Sequence, residues 1–137
     1  MIRLNLRTLS RFALVKITPQ VQSAIDEAGF SDGLCCVYVP HTTAGVTVNE
    51  SWDPSVAHDI QWAMDNIVPP DSDPGYQHSE GNSQAHVASA ITGSSVTVIV
   101  EGGRLMLGRW QGIFFCEYDG PRNREVWVKL IGAEGGS

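Results

Sequence analysis

Sulfur and positive charge are both in short supply in this chain, and no segment stays apolar for long. Of its three cysteines, Cys35 and Cys36 are neighbours and Cys116 stands alone. No C-x-x-C pair occurs, so a disulfide framework is not expected and reduced thiols buried in apolar strands fit better. Nine Lys and Arg face 15 Asp and Glu, a net charge of −6. With no basic cluster to offset the repulsion of phosphates, a nucleic-acid partner is not expected. The opening Met1-Ile2-Arg3-Leu4-Asn5-Leu6-Arg7 has no continuous apolar stretch, so neither a signal peptide nor a membrane span is expected and the cytoplasm is the expected location. Internal repeats and low-complexity tracts are absent. So are a glycine-rich phosphate loop leading into a helix and an aspartate-rich metal motif.

What is present is an ordinary globular composition, 42% hydrophobic and 18% charged over 137 residues, enough for one core. A single domain is expected over residues 1–132, with a flexible tail at 133–137. Alternation predicts strands over Arg3–Thr8 and Phe12–Thr18, joined by a tight turn. Thr18-Pro19 reads as cap plus first-turn proline for a helix burying Val21, Ala24, Ile25 and Ala28 and closed by Gly29. Leu34–Val39 is apolar enough for burial on both faces, and Ala44–Asn49 follows as a strand. Asp53-Pro54 opens a second helix, to about Asn66, with Val56, Ala57, Ile60, Ala63, Met64 and Ile67 on its buried side. Breakers fill residues 69–75. Ser83 is expected to cap a short helix carrying His86, Val87 and Ala90. Strands are then expected over Val96–Val100, Leu105–Arg109, Ile113–Glu117 and Glu125–Ile131. The sum is an α+β domain, mainly antiparallel β-sheet and sandwich-like, with about three helices.

Three histidines stand in small, polar surroundings. His41 ends an apolar strand and is followed by Thr42 and Thr43, whose hydroxyls suit orienting a ring or holding an anion. His78 and His86 flank a Gly81-Asn82 bend with Glu80 nearby; two imidazoles and a carboxylate are a common divalent-metal set, although a purely structural role fits equally. His58, beside Asp59 in mid-helix, is read as solvated. Asp53 has a local task as a helix cap, whereas Glu50 has none and is a candidate base or metal partner. Gln111, Glu117 and Asp119 share parity on one strand face. A buried Glu117 needs a cation, and Arg122 or Arg124 can supply it, either as a structural pair or as a substrate clamp.

The runs His41-Thr42-Thr43-Ala44-Gly45-Val46-Thr47-Val48-Asn49-Glu50, Tyr76-Gln77-His78, Asn82-Ser83-Gln84-Ala85-His86, Leu107-Gly108-Arg109-Trp110-Gln111-Gly112-Ile113 and Glu117-Tyr118-Asp119-Gly120-Pro121-Arg122-Asn123-Arg124 closely resemble the YjbQ-like family. That family is often labelled secondary thiamine-phosphate synthase. The likeness covers nearly the whole chain in order, with Arg109 in place of an expected small residue. The resemblance implies a compact α+β fold, a homotrimer, and a weak capacity to join a pyrimidine methyl diphosphate to a thiazole phosphate with loss of pyrophosphate. On that reading His41, Glu50, His78 and His86 are the catalytic candidates. His41, His78 and His86 are the metal candidates, for a divalent ion such as Zn or Mg. Thr42, Thr43, Asn49, Asn82, Gln111, Glu117, Arg122 and Arg124 are the candidates for holding a phosphorylated small molecule. A metal- or histidine-dependent enzyme of unknown substrate, such as a hydrolase, and a non-catalytic metal- or small-ligand-binding trimer remain the alternatives.

Overall fold

A computed structural model of the chain describes residues 1–132, and the expected tail at 133–137 lies outside the described residues. The described elements run β1 (Ile2–Arg7), β2 (Ala13–Lys16), α1 (Thr18–Ala28), β3 (Asp32–Tyr38), β4 (Ala44–Glu50), α2 (Pro54–Ile67), α3 (Ser83–Thr92), β5 (Ser95–Glu101), β6 (Arg104–Leu105), β7 (Gln111–Glu117) and β8 (Asn123–Gly132). Two sheets result, one ordered β1-β8-β3-β5-β6 and one ordered β2-β7-β4. Every ladder is antiparallel. The α+β class, the antiparallel sheets and the three helices agree with the sequence.

Strand β7 explains the layering. Its residues alternate between two apolar clusters, as the two-residue period of a strand requires. Ile113 and Phe115 join Val21 and Ile25 of α1 and Cys35, Val37, Val98, Val100, Val126 and Val128 of the larger sheet. Phe114, Cys116 and the following Tyr118 join Val68 and, from α3, Ala85 and Ala88. A strand used on both faces needs apolar residues at consecutive positions, and Ile113-Phe114-Phe115-Cys116 supplies them.

Several local expectations change. Strands β1 and β2 do not pair with each other: β1 edges the larger sheet on β8, while β2 joins β7 in the smaller one. The intervening residues cross between layers, so alternation located both strands but not their partners. Thr18 does not cap α1, which starts after Ile17 without a side-chain cap. Its hydroxyl instead accepts the Ile113 N–H at 2.8 Å, fastening the helix to β7. Strand β3 buries only one face, with Leu34 and Tyr38 exposed on the other, because no layer among the described residues covers that side of the sheet. The strand expected over Leu105–Arg109 is only two residues long, Arg104–Leu105.

The largest departure is α2. Asp53 caps it as expected, accepting the Ser55 N–H at 2.9 Å. Its anticipated buried side is only half-buried: no α2 residue is fully buried, Val56, Ala57, Ile60 and Met64 are half-buried, and Met64 packs against the second cluster. Ala63 is exposed, Ile67 is 65% exposed and Trp62 62%, beside Trp52 at 75%. The amphipathic pattern is real, and the described part of this chain covers its stripe only in part.

Candidate functional site

The segments bearing the three histidines meet at one end of the sandwich, where the β3–β4 connection, α3 and the β7–β8 turn come together. Glycine makes one of these approaches possible. A Cβ on Gly45 of β4 would stand 2.7 Å from the Gly93 carbonyl at the end of α3. Two hydrogen bonds use that closeness: Val46 N–H donates to the Gly93 carbonyl at 3.1 Å, and the Ser89 hydroxyl donates to the Ala44 carbonyl at 2.6 Å. Helix α3 therefore lies directly on the strand that follows His41.

The start of α3 is organised from outside. Ser83, expected as its cap, is the first helical residue after Asn82 and makes no capping bond. Asp71 takes that role, accepting the Gln84 N–H at 2.8 Å while its other oxygen binds Arg11 at 2.6 Å. A carboxylate at a helix N-terminus meets free N–H groups and the positive end of the dipole. The 69–82 segment is thereby tied down, and it carries His78 onto His86. The two rings meet edge to face, centroids 5.1 Å apart at 88°.

His78 is further held by a chain of hydrogen bonds. Its Nε2 lies 3.0 Å from Asn82 Oδ1. Asn82 Nδ2 donates to Asp119 Oδ2 at 3.0 Å. Arg122 clasps Asp119 from the other side, with Nε on its carbonyl at 2.7 Å and Nη2 on Oδ2 at 3.0 Å. Glu80 approaches His78 more loosely, at 3.7 Å.

His41 is held by different means. Its Nε2 accepts the Glu125 N–H at 3.0 Å. Its pKa is lowered, first by desolvation and then by the positive charge of Arg124. Beneath it, Glu117 is fully buried and Arg124 nearly so, with side-chain exposures of 0% and 5%. Arg124 embraces the carboxylate through Nε, at 2.8 Å from Oε1, and through Nη2 on Oε2. The Thr8 hydroxyl donates at 2.7 Å and the Asp119 N–H at 3.0 Å to the same carboxylate. Burial alone would raise the Glu117 pKa, but these bonds and the Arg124 charge hold it below the usual carboxylate value. Thr43 completes the arrangement, its hydroxyl accepting from Arg124 Nη2 at 2.9 Å.

Two clefts open around this assembly. One, of about 320 Å³, is lined by Tyr76, His78, Ser83, His86 and Val87 among others. The other, of about 390 Å³, is lined by His41, Thr42, His86, Ser89 and Ser94 among others. His86 borders both.

Of the residues singled out from sequence, His41, Thr42, His78, Asn82 and His86 lie in or against these clefts. Thr43, Glu117 and Arg124 lie beneath them in the buried network, and their polar atoms are already engaged with one another. Arg122, 52% exposed, flanks the network with its guanidinium on Asp119. Asn49, Glu50 and Gln111 are elsewhere. Glu50 pairs with Gln111 in register at the far end of β4 from His41, about 20 Å away along the strand. It borders a separate cleft with Lys16 and Asp53. Asn49 Oδ1 accepts the Glu50 N–H, and Gln111 Oε1 the Gly108 N–H. Arg109 stacks over Trp110 at 4.8 Å, away from the histidines, and His58 is exposed beside Asp59. Asp119 was seen only through its parity with Glu117, and Thr8 and the Glu125 N–H were missed. A lone threonine and a main-chain donor carry no motif that would reveal them.

Among the described residues, no group of three His, Cys, Asp or Glu side chains is placed to hold a metal ion. The His41 Nε2 lone pair is already committed to Glu125. The donors of one chain therefore do not fit a resident divalent ion. Among the same residues, no helix is long and apolar enough to cross a membrane.

The fold and these clefts define a small α+β domain with a histidine-lined polar end, and comparison with known proteins identifies its kind. The family described as UPF0047 protein YjbQ-like matches residues 2–133, and the chain belongs to it. The UPF0047 protein MJ1081 of Methanocaldococcus jannaschii is 50% identical over 128 residues, covering 93% of this chain and 91% of its own. The UPF0047 protein YugU of Bacillus subtilis is 44% identical, covering 94% and 97%. A solved structure of a family protein from Clostridium acetobutylicum superposes with a TM-score of 0.91 at 47% identity, covering 96% of this chain and all (100%) of that one.

Proposed function

We propose that this protein is a cytoplasmic small-molecule enzyme of the thiamine-phosphate synthase type, working weakly on phosphorylated precursors at its histidine clefts. The overall reaction joins a pyrimidine methyl diphosphate to a thiazole phosphate and releases pyrophosphate. The observation that carries the reading is that His86 borders two adjoining clefts, with His78 on one side and His41 on the other. A reaction that brings two substrates together needs two neighbouring compartments with shared polar groups. The chemistry asks for donors to the departing diphosphate, and the hydroxyl of Thr42 and the imidazoles are of the right kind. Arg124 is consumed by Glu117, so of the two arginines only the half-exposed Arg122, held on Asp119, keeps donors open to solvent.

The functional unit is proposed to be a homotrimer. The exposed apolar residues of α2, Trp62 and Ile67, are what a second copy of the chain would cover. Such packing would also bring another subunit's residues near the clefts.

The test is to incubate the purified protein with both precursors and follow thiamine phosphate and pyrophosphate. Slow formation of both is expected, falling by about 100-fold or more in His78→Ala if that ring moves a proton. No product above the protein-free control would sink the transferase reading. Hydrolysis of one precursor alone would favour a hydrolase, and tight binding without turnover a non-catalytic ligand-binding protein.

A further inference from the structure

The hydrogen bonds around His41 and His78 do more than anchor them. A main-chain N–H can only donate, so the 3.0 Å contact from Glu125 obliges His41 Nε2 to accept. While that bond lasts, Nε2 carries no proton, the ring is neutral, and its single N–H is on Nδ1. On the other side of His86 the logic runs in reverse. An ionised carboxylate can only accept, so the Asn82 atom 3.0 Å from Asp119 Oδ2 must be the amide nitrogen. The carbonyl oxygen of Asn82 then faces His78 Nε2, also at 3.0 Å, and that nitrogen must donate. His78 thus has its proton on Nε2 and a free lone pair on Nδ1.

We propose that His41 and His78 are fixed in opposite tautomers, His41 as an Nδ1–H donor to a substrate oxyanion and His78 as a base at Nδ1, with Asp119 the positioning residue for His78. The assignment rests on the reading of these clefts as the place of chemistry, and it divides the labour between them. A neutral imidazole N–H stabilises developing negative charge by hydrogen bonding without giving up its proton. The oxygens of a phosphate or diphosphate therefore belong on the His41 side, beside the Thr42 hydroxyl. His78 instead takes a proton from an N–H or O–H of the substrate onto Nδ1. The ring becomes an imidazolium and the bonding pair stays on the substrate atom. The new positive charge is met through Nε2–H by the Asn82 carbonyl, with the Asp119 carboxylate behind it. Arg122, bound to Asp119 by two contacts, keeps that carboxylate from turning away.

The test needs no substrate. Protein labelled with ¹⁵N-histidine is examined at neutral pH by long-range ¹H–¹⁵N correlation, with resonances assigned from single His→Asn variants. The expected spectrum has His41 protonated at Nδ1, the minor form of free histidine, and His78 protonated at Nε2. Asp119→Ala should move the His78 nitrogens toward the exchange-averaged positions of free histidine and leave His41 unchanged. Asp119→Asn, which can still offer a carbonyl oxygen to Asn82, should restore the native His78 pattern. If Asp119→Ala does not fold, Asn82→Ala removes the same contact and should give the same shift. Finding both rings in one tautomer, or His78 indifferent to both alanine variants, would overturn the proposal. Because the tautomers are read without turnover, failure of the thiamine-precursor assay would leave this result standing.

Discussion

Replacing Arg124 with methionine removes the cation from a carboxylate that has no access to water. Glu117 would keep the Thr8 hydroxyl at 2.7 Å and the Asp119 N–H at 3.0 Å but lose every guanidinium contact. Thr43 would lose its donor as well. Breaking a buried ion pair by deleting one partner typically costs about 3–5 kcal/mol, because the remaining charge stays desolvated. Against a total stability on the order of 5–15 kcal/mol this is a large share, corresponding to a melting shift of roughly 10–20 °C. Changing Glu117 to Gln as well should recover part of the loss, since an amide is far less costly to bury than an unpaired carboxylate. The two single variants and the double variant, unfolded in urea at one fixed protein concentration, measure the coupling. A loss under about 1 kcal/mol in Arg124→Met, accompanied by weaker binding of a phosphorylated ligand, would refute the structural reading and return Arg124 to the role of clamp.

Two further outcomes are expected. The lowered His41 pKa, due first to desolvation and then to Arg124, makes the unfolded chain the better proton acceptor once the pH drops below the ordinary value of 6.5. Stability should therefore fall on acidification from that point until the folded value is passed, and His41→Asn should flatten urea midpoints between about pH 7 and 5; an unchanged slope contradicts this. Glu117 has the usual carboxylate sign, its contribution being full above the model-peptide value of 4.5 and lost as the pH falls through its depressed folded value. For assembly, Trp62→Glu with Ile67→Glu should convert a trimer to monomer in light scattering without altering the far-ultraviolet circular dichroism. A trimer that survives both changes would move the interface away from α2.

The sequence was most legible where short-range physics governs. Apolar strand patterns, alternating or continuous, found β4, β5, β7 and β8, and the Asp53-Pro54 signature found the start of α2 to the residue. Asp53 has its capping partner two positions away, so nothing distant could override it. Thr18-Pro19 likewise marks the start of α1, but Thr18 is not its cap, because its hydroxyl is taken by Ile113, far along the chain. The β1–β2 hairpin failed for a related reason: strand patterns report which residues face inward, not which sheet receives them. In the site, small polar neighbours singled out His41, His78 and His86, which line two clefts that share His86, but the same reasoning gathered in Glu50. Adjacency in sequence hid the fact that a seven-residue strand carries Glu50 to the opposite end of the molecule. A buried Glu117 requires a cation, and composition alone left Arg122 and Arg124 equivalent. Only the fold distinguishes the guanidinium turned inward from the one left at the surface.

The contact at Gly45 bears on how this site can vary. The seat of α3 on β4 is fixed by the Val46 N–H on the Gly93 carbonyl and by the short Ser89 side chain on the Ala44 carbonyl. The gauge between His41 and His86 is thus set by one main-chain contact and one short side chain, Ser89, with little length to vary. Sequence change can repaint the walls of the two clefts through Thr42, Tyr76 or Val87 while that gauge stays constant. A methyl group at position 45 would work the other way, wedging the helix off the strand and resetting the gauge with every polar group still present. The glycine acts as the ruler of the site, and relatives that keep it can diverge in what they bind while keeping the same interval across which they bind it.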